Sequence, residues 1–299
     1  MKVIVPDLPA FDSLEKHGAE LLRYRPQDGR TFEEADGVIF LFGAGRTQRR
    51  SLMATPGLQW VLTLTAGVDH ITPDLPAGVR LFNANTLHAP AVAVHVVAGL
   101  LAAARGLHLY RDRQNERRWE RLPEQMHTLR GRKVALWGYG HIGREIERLL
   151  LPFGAEVLTV RSGTDERRKA EIRAQADFLV LLVPSTPDTR GSVDAGFLRG
   201  MKPGAWLYNI GRGDLVVQDD LLDTLRSGHL GGALLDVTDP EPLPADHPLW
   251  EMENVILTPH VGSATADLER RAADHAGAFL QAMLQGRQPE GEVDTGRGY

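Results

Sequence analysis

The amino-acid sequence predicts an α/β protein built from doubly wound parallel sheets in two domains. Short apolar runs alternate with helical segments along the chain, which is the pattern of parallel βαβ units. The alternation stops at a strongly charged stretch, residues 111–132, and restarts after it. The 299 residues are too many for one ordinary domain of roughly 100–200 residues and are sufficient for two.

The first half of the chain predicts buried strands over residues 3–5, 37–41, 60–64 and 80–83, bounded by Pro, Gly or Asn. A helical segment over residues 13–24 separates the first two strands. A long apolar helix follows over residues 91–105. The charged stretch after this helix is interpreted as an arm or linker rather than as core.

The second half repeats the alternation more regularly. Strands are predicted over residues 134–137, 156–160, 178–183, 205–210, 232–236 and 255–258. Helices are predicted over residues 142–151, 165–174 and 219–226, and one amphipathic helix closes the chain over residues 265–285. This order of elements is typical of Rossmann-like and flavodoxin-like doubly wound parallel sheets.

Composition excludes several classes of protein. The net charge of −5 argues against a nucleic-acid binder, which would carry a basic surplus. The absence of cysteine excludes disulfides and cysteine-rich zinc sites, and we expect no metal. The first residues run into Pro6 too soon for a signal peptide, and the longest apolar run, residues 89–104, is shorter than the ~18 residues of a membrane span. We therefore expect a cytoplasmic location.

A G-x-G-x-x-G motif opens the second half, formed by Gly138, Tyr139, Gly140, His141, Ile142 and Gly143. The spacing alone is weak evidence, but here the motif follows a buried strand and opens an amphipathic helix. Gly138 would permit the tight turn, Gly140 would let the backbone approach a pyrophosphate, and Gly143 would let the helix pack on the strand. The free N–H groups at the helix start would bind the phosphates.

The end of the next strand bears on the choice between NADP and NAD. An acidic residue at this position would accept a hydrogen bond from the ribose 2′-OH of NAD, whereas the chain has Arg161 and Ser162, followed by Thr164. Arg161 can pair with a 2′-phosphate, and the two hydroxyls can donate to it. We therefore favour NADP, although Asp165 and Glu166 lie close by and NAD stays open.

Three loops that follow predicted strands carry the polar residues that a hydride transfer needs. Arg212 lies in the first, Glu241 in the second and His260 in the third. Ligands of an open α/β sheet bind beyond the carboxyl ends of its strands, so the three loops can converge. Histidine can protonate an alkoxide near neutral pH, a carboxylate can hold the imidazolium, and arginine can grip a carboxylate and polarise a carbonyl.

With these motifs the chain resembles the D-isomer-specific 2-hydroxyacid dehydrogenase family. The glycine motif, residues 209–213, residues 232–237, Glu241-Pro242 and Thr258-Pro259-His260 match the signature blocks of that family in order and spacing. Residues 182–191 resemble the family loop beside the nicotinamide, and residues 60–69 resemble the loop whose amides hold the substrate carboxylate. The likeness runs from about residue 38 to residue 299.

The resemblance implies roles for individual residues. Arg212 would bind and polarise the substrate, and His260, paired with Glu241, would be the acid and base. The amides of Ala66, Gly67 and Val68 would hold the substrate carboxylate together with Arg212 and His260. Besides the glycine motif, Arg161 and Ser162, the implied cofactor contacts are Pro184, Ser185, Thr189, Ile210, Gly211, Arg212, Asp236, His260 and Gly262.

The resemblance also implies a discontinuous layout. Residues 1–98 and 272–299 would form the substrate domain, residues 99–271 would form the inserted dinucleotide-binding domain, and a cleft would lie between the domains. Relatives with arginine at the strand end resemble glyoxylate or hydroxypyruvate reductases, and the family is usually dimeric, for which the charged arm is suited. The alternative is a regulatory protein on the same fold that senses nicotinamide dinucleotide without turnover. A formate-type dehydrogenase is disfavoured by Glu241.

Overall fold

The computed structural model describes residues 1–26, 29–41 and 44–296. The chain divides into two compact units. The N-terminal unit comprises Met1–His88 and Ala264–Tyr299, and the central unit comprises Ala89–Ser263. The chain thus leaves the N-terminal unit after residue 88 and re-enters it after residue 263, somewhat before the boundaries at 98 and 271 predicted from the sequence.

The sheet of the N-terminal unit has five parallel strands in the order β2-β1-β3-β4-β5. The strands are β1 (Lys2–Pro6), β2 (Glu20–Tyr24), β3 (Gly37–Phe40), β4 (Trp60–Thr63) and β5 (Arg80–Phe82). A 3-10 helix spans Pro9–His17, α1 spans Arg46–Met53, and the last helix, α8, spans Leu268–Leu284. Because β2 and β3 pair on opposite sides of β1, the sheet is doubly wound, as predicted.

The helix predicted over residues 13–24 is wrong in its second half. The helical segment ends at Gly18, which adopts the left-handed conformation with φ 81°, and a left-handed glycine is a common helix terminator. The chain then forms β2, which pairs in parallel register with β1. β2 is an edge strand and its side chains are only partly buried, so its sequence lacks the continuous apolar run that marks the inner strands.

The core of the N-terminal unit lies on both faces of its sheet. On one face α8 packs through Phe279, whose ring centroid lies 5.0 Å from that of Trp60 and 4.9 Å from that of Phe82. Gly277 of α8 lies directly against the ring of His17, because a Cβ there would be 2.9 Å from Nε2 of that histidine. Small residues in α8 therefore let the 3-10 helix pack against it.

The sheet of the central unit has six parallel strands in the order β11-β10-β9-β8-β6-β7. They are β6 (Lys133–Trp137), β7 (Glu156–Val160), β8 (Phe178–Leu181), β9 (Trp206–Asn209), β10 (Gly232–Leu235) and β11 (Val255–Leu257). The strand order reverses between β6 and β8, which is the switch point where doubly wound folds bind their ligands. The predicted fold class is therefore confirmed.

The helices of the central unit cover both faces of this sheet. They are α3 (Leu107–Asn115), α4 (His141–Leu150), α5 (Glu166–Gln175), α6 (Ala195–Arg199) and α7 (Gln218–Arg226), with most of α2 (Asn85–Ala104). Among the described residues, α2 alone is long and apolar enough to cross a membrane, and 56% of its most apolar window is buried. Because α2 packs apolar side chains onto the sheet, it has the character of a core helix.

The charged stretch over residues 111–132 is only partly an arm. Its first residues belong to α3, and Leu129 is buried in the core of the unit. Arg113 forms ion pairs with Glu120 and Glu253, each at 3.1 Å. Trp119, by contrast, is 99% exposed, so the middle of the stretch does project from the unit.

Candidate active site

The glycine motif forms the turn between β6 and α4. Gly138 has φ 106°, which L side chains rarely adopt, and a Cβ there would lie 2.9 Å from the carbonyl carbon of Leu182. A Cβ on Gly143 would lie 3.1 Å from the carbonyl oxygen of Gly138, so this glycine lets the helix approach the turn. A Cβ on Gly140 would meet nothing within 4 Å, which leaves open space at the start of α4. A pyrophosphate fits this cradle, beside the N–H groups of the helix start.

The end of β7 presents the residues predicted to choose the cofactor. The guanidinium of Arg161 lies over the ring of Tyr139, 4.6 Å from its centroid. The backbone N–H of Arg161 donates to Oγ1 of Thr164 at 2.9 Å, which closes a short exposed turn that includes Ser162. The hydroxyl of Tyr139 in turn hydrogen-bonds to Glu147, and this bond raises the pKa of the tyrosine. Arg161 is therefore supported on an aromatic platform in solvent-accessible space.

The two neighbouring carboxylates are engaged elsewhere. Asp165 caps α5, since its Oδ1 accepts the backbone N–H of Arg168 at 2.8 Å. Glu166 pairs with Lys169 one turn further along the helix, with Nζ and Oε1 2.6 Å apart. Neither contact involves the guanidinium of Arg161, so the negative charges that weighed against a 2′-phosphate have partners on α5.

The loop after β8 is held by its own side chains and by Asp214. Oγ1 of Thr189 donates to the carbonyl of Pro184 at 2.7 Å, which folds the loop back on itself. The hydroxyl of Ser185 donates to Asp214 at 2.7 Å, and Arg190 forms an ion pair with the same carboxylate at 3.0 Å. Asp214 therefore ties the predicted nicotinamide loop to the loop after β9.

The loop after β9 forms a tight turn that carries Arg212. The buried side chain of Asn209 closes the turn, because its amide donates to the carbonyl of Arg212 at 2.7 Å and its oxygen accepts the N–H of Gly211 at 3.1 Å. A Cβ on Gly213 would overlap the carbonyl oxygen of Thr238, so the loop after β9 lies directly on the loop after β10. The backbone that carries Arg212 is thus packed against the start of the segment that carries Glu241.

Glu241 and His260 are brought together. Nδ1 of His260 lies 2.9 Å from Oε2 of Glu241, and Oε1 of that carboxylate accepts the backbone N–H of Thr238 at 3.1 Å. The carboxylate of Glu241 accepts a hydrogen bond from the N–H at Nδ1, which leaves Nε2 as the ring nitrogen that can meet a substrate. Within the described part of the chain, no hydrogen-bond partner faces Nε2, and half of the His260 side chain is exposed. The arrangement can therefore accept or donate a proton at Nε2.

His260 itself has the left-handed backbone conformation, with φ 53°, which is uncommon for any residue other than glycine. Its N–H donates to the carbonyl of Asp236 at 2.7 Å. The carboxylate of Asp236, which is 3% exposed, accepts the N–H groups of Val261 and Gly262, each at 2.9 Å. Such a backbone conformation persists only where its surroundings determine it, and here Asp236 supplies them.

Further contacts complete this network around Asp236. The hydroxyl of Thr258 donates to Oδ1 at 2.6 Å, and Nε2 of His95 lies 3.2 Å from the same hydroxyl. A Cβ on Gly262 would lie 2.9 Å from Oδ2 of Asp236 and 2.6 Å from the side chain of Ile210. The predicted cofactor residues Ile210, Asp236 and Gly262 are therefore adjacent at the carboxyl ends of β9, β10 and β11.

Several supporting residues were missed from the sequence. Asn209 lies within the family block over residues 209–213 and Asp214 follows it directly, but nothing in the residue pattern showed that their side chains close a turn and join two loops. Thr258 precedes the Pro-His pair, and its hydroxyl could have been suspected because a polar residue ends a buried strand. His95 of α2 also lies within the network around Asp236, with Nε2 3.6 Å from Oδ1.

The predicted substrate residues Ala66, Gly67 and Val68 lie in the N-terminal unit, in the loop after β4. Val68 is buried and its carbonyl accepts the N–H of Ile71 at 2.8 Å, which starts the next turn. The loop over residues 42–45 is a further candidate from the sequence for the substrate pocket, but its Phe42 and Gly43 lie outside the described residues, as do the last residues of the family likeness, 297–299. No group of three or more His, Asp or Glu side chains within residues 1–26, 29–41 and 44–296 is placed to hold a metal.

Comparison with known proteins identifies relatives among dehydrogenases and reductases that act on hydroxy acids and oxo acids. Residues 97–262 match the model of the D-isomer specific 2-hydroxyacid dehydrogenase, NAD binding domain. The glyoxylate reductase/hydroxypyruvate reductase of Homo sapiens is 33% identical over 87% of this chain and 84% of its own length. The D-3-phosphoglycerate dehydrogenase of Mycobacterium tuberculosis (strain ATCC 25618 / H37Rv) is 31% identical over 89% of this chain, and the chain spans about half (52%) of its length.

A solved structure is similar over the whole chain. The NADPH-dependent glyoxylate/hydroxypyruvate reductase SmGhrA from Sinorhizobium meliloti, in complex with NADP and sulfate, has a TM-score of 0.85 and 27% identity. The match covers 100% of this chain and 99% of that one. The two parallel sheets, the glycine motif and these matches together show that this chain is an oxidoreductase of the D-isomer specific 2-hydroxyacid dehydrogenase family and carries its nicotinamide-dinucleotide-binding domain.

Proposed function

We propose that the protein reduces a small 2-oxo acid of the glyoxylate or hydroxypyruvate class to the D-2-hydroxy acid, with NADPH as the preferred cofactor. The observation that carries this proposal is the hydrogen bond between Glu241 and His260 on a loop packed beside the turn of Arg212. A protein that only senses dinucleotide has no use for a histidine paired in this way. The reductases among the relatives are consistent with the same class of substrate.

The proposed chemistry assigns one task to each residue. The bound cofactor supplies a hydride to the carbonyl carbon of the substrate. The guanidinium of Arg212 holds the substrate and polarises its carbonyl oxygen. His260 donates a proton from Nε2 to the oxygen on which negative charge develops, and Glu241 holds the ring and stabilises its protonated form. The amides of residues 66–68 bind the substrate carboxylate, as the family resemblance implies.

The preference for NADP rests on the turn after β7. Arg161 is held on the ring of Tyr139 and points a cation into accessible space, where the hydroxyl of Ser162 is also exposed. The carboxylates of Asp165 and Glu166 are partnered on α5 and do not neutralise it. A 2′-phosphate can accept charge-assisted hydrogen bonds from such a site, whereas no acidic side chain is offered to a 2′-hydroxyl.

Steady-state kinetics test the proposal. A panel of 2-oxo acids, including glyoxylate, hydroxypyruvate and pyruvate, is measured with NADPH and with NADH. We expect turnover that is highest for the small acids and a higher kcat/KM with NADPH. Tight dinucleotide binding without turnover of any acid would instead support a regulatory protein.

We also propose a homodimer in the cytoplasm. The projecting part of the charged stretch, with Trp119 almost fully exposed, is suited to contact a second copy of the chain. Light scattering after size-exclusion chromatography measures the mass, and Trp119→Glu is expected to shift a dimer towards the monomer. A monomeric wild-type protein would contradict this part of the proposal.

A further inference from the structure

The loop that follows β4, residues 64–68, has its backbone carbonyls held one after another. We call it the β4 loop. The carbonyl of Leu64 accepts a hydrogen bond from Nε2 of His88 at 2.9 Å. The carbonyl of Thr65 accepts the backbone N–H of Ala84 at 2.9 Å. The first two peptide groups of the β4 loop are therefore fixed by residues around the end of β5 and the start of α2.

The next two carbonyls of the β4 loop are held by side chains. The amide of Asn83 donates to the carbonyl of Ala66 at 3.2 Å. The hydroxyl of Thr65 donates to the carbonyl of Gly67 at 2.8 Å and lies 2.8 Å from Oγ1 of Thr63. Four successive carbonyls of the loop are thus satisfied within the N-terminal unit.

The amides on the other side of these peptide groups are not engaged. A trans peptide is planar, so its C=O and the N–H of the following residue point in opposite directions. Fixing the carbonyls of residues 65, 66 and 67 therefore fixes the direction of the N–H groups of Ala66, Gly67 and Val68. Within residues 1–26, 29–41 and 44–296, these three N–H groups have no hydrogen-bond acceptor. Successive free N–H groups in a turn are known to form concavities that bind anions, and residues 64–66 form a bend.

The side chains that hold the carbonyls are themselves fixed. Asn83 is 4% exposed, and its backbone N–H donates to the carbonyl of Gly291 at 2.8 Å. Thr63, which lies against the hydroxyl of Thr65, is 1% exposed. Oδ1 of Asn83 also accepts the backbone N–H of Asn85 at 3.4 Å, so both polar atoms of this side chain are engaged. A buried side chain held in this way has little freedom to turn, because losing its hydrogen bonds would leave polar groups unsatisfied.

We propose that Thr65 and Asn83 are positioning residues, which aim the N–H groups of Val68 and Gly67 at the carboxylate of the substrate by holding the carbonyls of Gly67 and Ala66. This inference rests on the proposed function, which assigns the substrate carboxylate to the β4 loop. The two side chains do not touch the substrate. They set the geometry of the backbone groups that do, so their loss weakens carboxylate binding and leaves dinucleotide binding intact.

The test compares Thr65→Val, which removes the hydroxyl at similar volume, with Thr65→Ser, which keeps it. For Thr65→Val and Asn83→Ala, we expect KM for glyoxylate to rise about threefold to tenfold, the equivalent of one lost net hydrogen bond. Calorimetric titration with oxalate, a carboxylate that cannot accept a hydride, should show a similar rise in Kd in the presence of NADPH. Thr65→Ser should restore most of the affinity.

Two further measurements distinguish a positioning role from a general loss of protein structure. The Kd of NADPH and the kcat of both variants should stay within about twofold of the wild type, since the altered contacts lie in the N-terminal unit and the proton donor lies in the other. Thr31→Val, at an exposed threonine of the same unit, serves as the control for threonine-to-valine exchange. If Thr65→Val does not fold, Asn83→Ala and Thr65→Ser provide the comparison.

The inference is overturned if Thr65→Val and Asn83→Ala bind glyoxylate and oxalate like the wild type, or if Thr65→Ser is as impaired as Thr65→Val. Its failure can be told apart from failure of the proposed function. In the first case the wild-type enzyme reduces glyoxylate and binds oxalate but the variants do so equally well. In the second case the wild-type protein itself neither turns over 2-oxo acids nor binds oxalate, and the inference falls with the proposed function.

Discussion

The two units of this protein have sheets of the same kind that offer different chemistry. In chain order, the second strand of each sheet pairs with one side of the first strand, and the third strand pairs with its other side. The sheet of the central unit has one strand more than the sheet of the N-terminal unit. Beyond the carboxyl ends of the strands, the N-terminal unit presents backbone N–H groups in the β4 loop that have no acceptor among the described residues. The central unit presents the side chains of Arg212, Glu241 and His260 at the corresponding edge.

The difference follows from what each proposed task requires. Binding a carboxylate needs only hydrogen-bond donors of fixed direction, which the peptide backbone supplies once its carbonyls are held. Transferring a proton needs an acid or base, which the peptide backbone does not supply and a histidine side chain does. A shared topology therefore determines where the loops lie, while the residues in each loop determine what it can do.

The largest effect on activity is expected from substitutions of the proposed catalytic side chains in the central unit. His260→Ala should lower kcat for glyoxylate about 10²–10⁴-fold, because the proton donor is lost, while the protein still binds NADPH. Glu241→Gln keeps a hydrogen-bond acceptor without the charge and should lose about 10–100-fold, as expected when one charge-assisted hydrogen bond is weakened. Steady-state kinetics and fluorescence titration of NADPH measure both. Near-normal turnover in His260→Ala would refute the assignment of the acid and base.

Packing of the loops in the central unit gives the next prediction. In Gly213→Ala the new Cβ would overlap the carbonyl of Thr238, so one of the two loops must move. Because the moved loops carry Arg212 and Glu241, we expect kcat/KM for glyoxylate to fall at least about tenfold, since displacements of about 1 Å can cost 100-fold. NADPH binding serves as the internal reference. Unchanged kinetics would show that the close approach does not matter for the site.

A smaller effect is expected at the cofactor end of the central unit. Arg161→Ala should weaken NADPH binding about 10–100-fold and leave NADH binding nearly unchanged, because only NADPH carries the 2′-phosphate. Tyr139→Leu removes the platform under the guanidinium and should cause a fraction of that loss. Equal loss of NADPH and NADH in Arg161→Ala would show that this arginine supports the turn instead of selecting the phosphate.

Much of the central unit could be predicted because its signals are local. Its inner strands are largely apolar, and Arg212, Glu241 and His260 lie in the loops that follow β9, β10 and β11, so both the identity and the position of these residues were informative. The same reasoning could not find β2, an edge strand without a continuous apolar run, or α1, whose sequence is rich in arginine and buries only Gln48, Leu52 and Met53. Tertiary contacts decide the structure of such segments.

The supporting residues were harder to predict than the residues they support. Asn209 and Asp236 act through backbone groups of their neighbours, so their roles depend on turn conformations that the sequence does not specify. The β4 loop was the hardest part of the site to predict from the sequence. The groups proposed to bind the substrate there are backbone N–H groups, which every residue except proline has. Only the resemblance to a family drew attention to Ala66, Gly67 and Val68, and only the structure showed that Asn83 donates to the carbonyl of Ala66.

The smallest expected effect concerns the histidine that supports the β4 loop. Burial lowers the pKa of His88 and outweighs the hydrogen bond to the carbonyl of Leu64, which raises it, and the nearby charge of Arg271 lowers it further. Burial also lowers the pKa of His275, with His88 adding to the effect and Glu290 opposing it. A neutral His88 carries its one ring proton on Nε2, which donates to the carbonyl of Leu64. Its buried Nδ1 has no hydrogen-bond partner among the described residues, which agrees with a neutral ring.

The sign of the resulting pH dependence follows from proton linkage. Below a pH of about 6.5, which is the pKa of histidine in the unfolded chain, the unfolded state binds protons that the buried histidines of the folded state do not bind. The free energy of unfolding therefore falls as the pH falls. The slope approaches about 1.4 kcal/mol per pH unit for each such histidine. His88→Gln keeps a donor for Leu64 but cannot titrate, so urea unfolding between pH 7.5 and 5 should show a shallower loss of stability than in the wild type. An equal slope in both proteins would mean that His88 also takes up a proton in the folded state, and that the β4 loop tolerates a charged ring behind it.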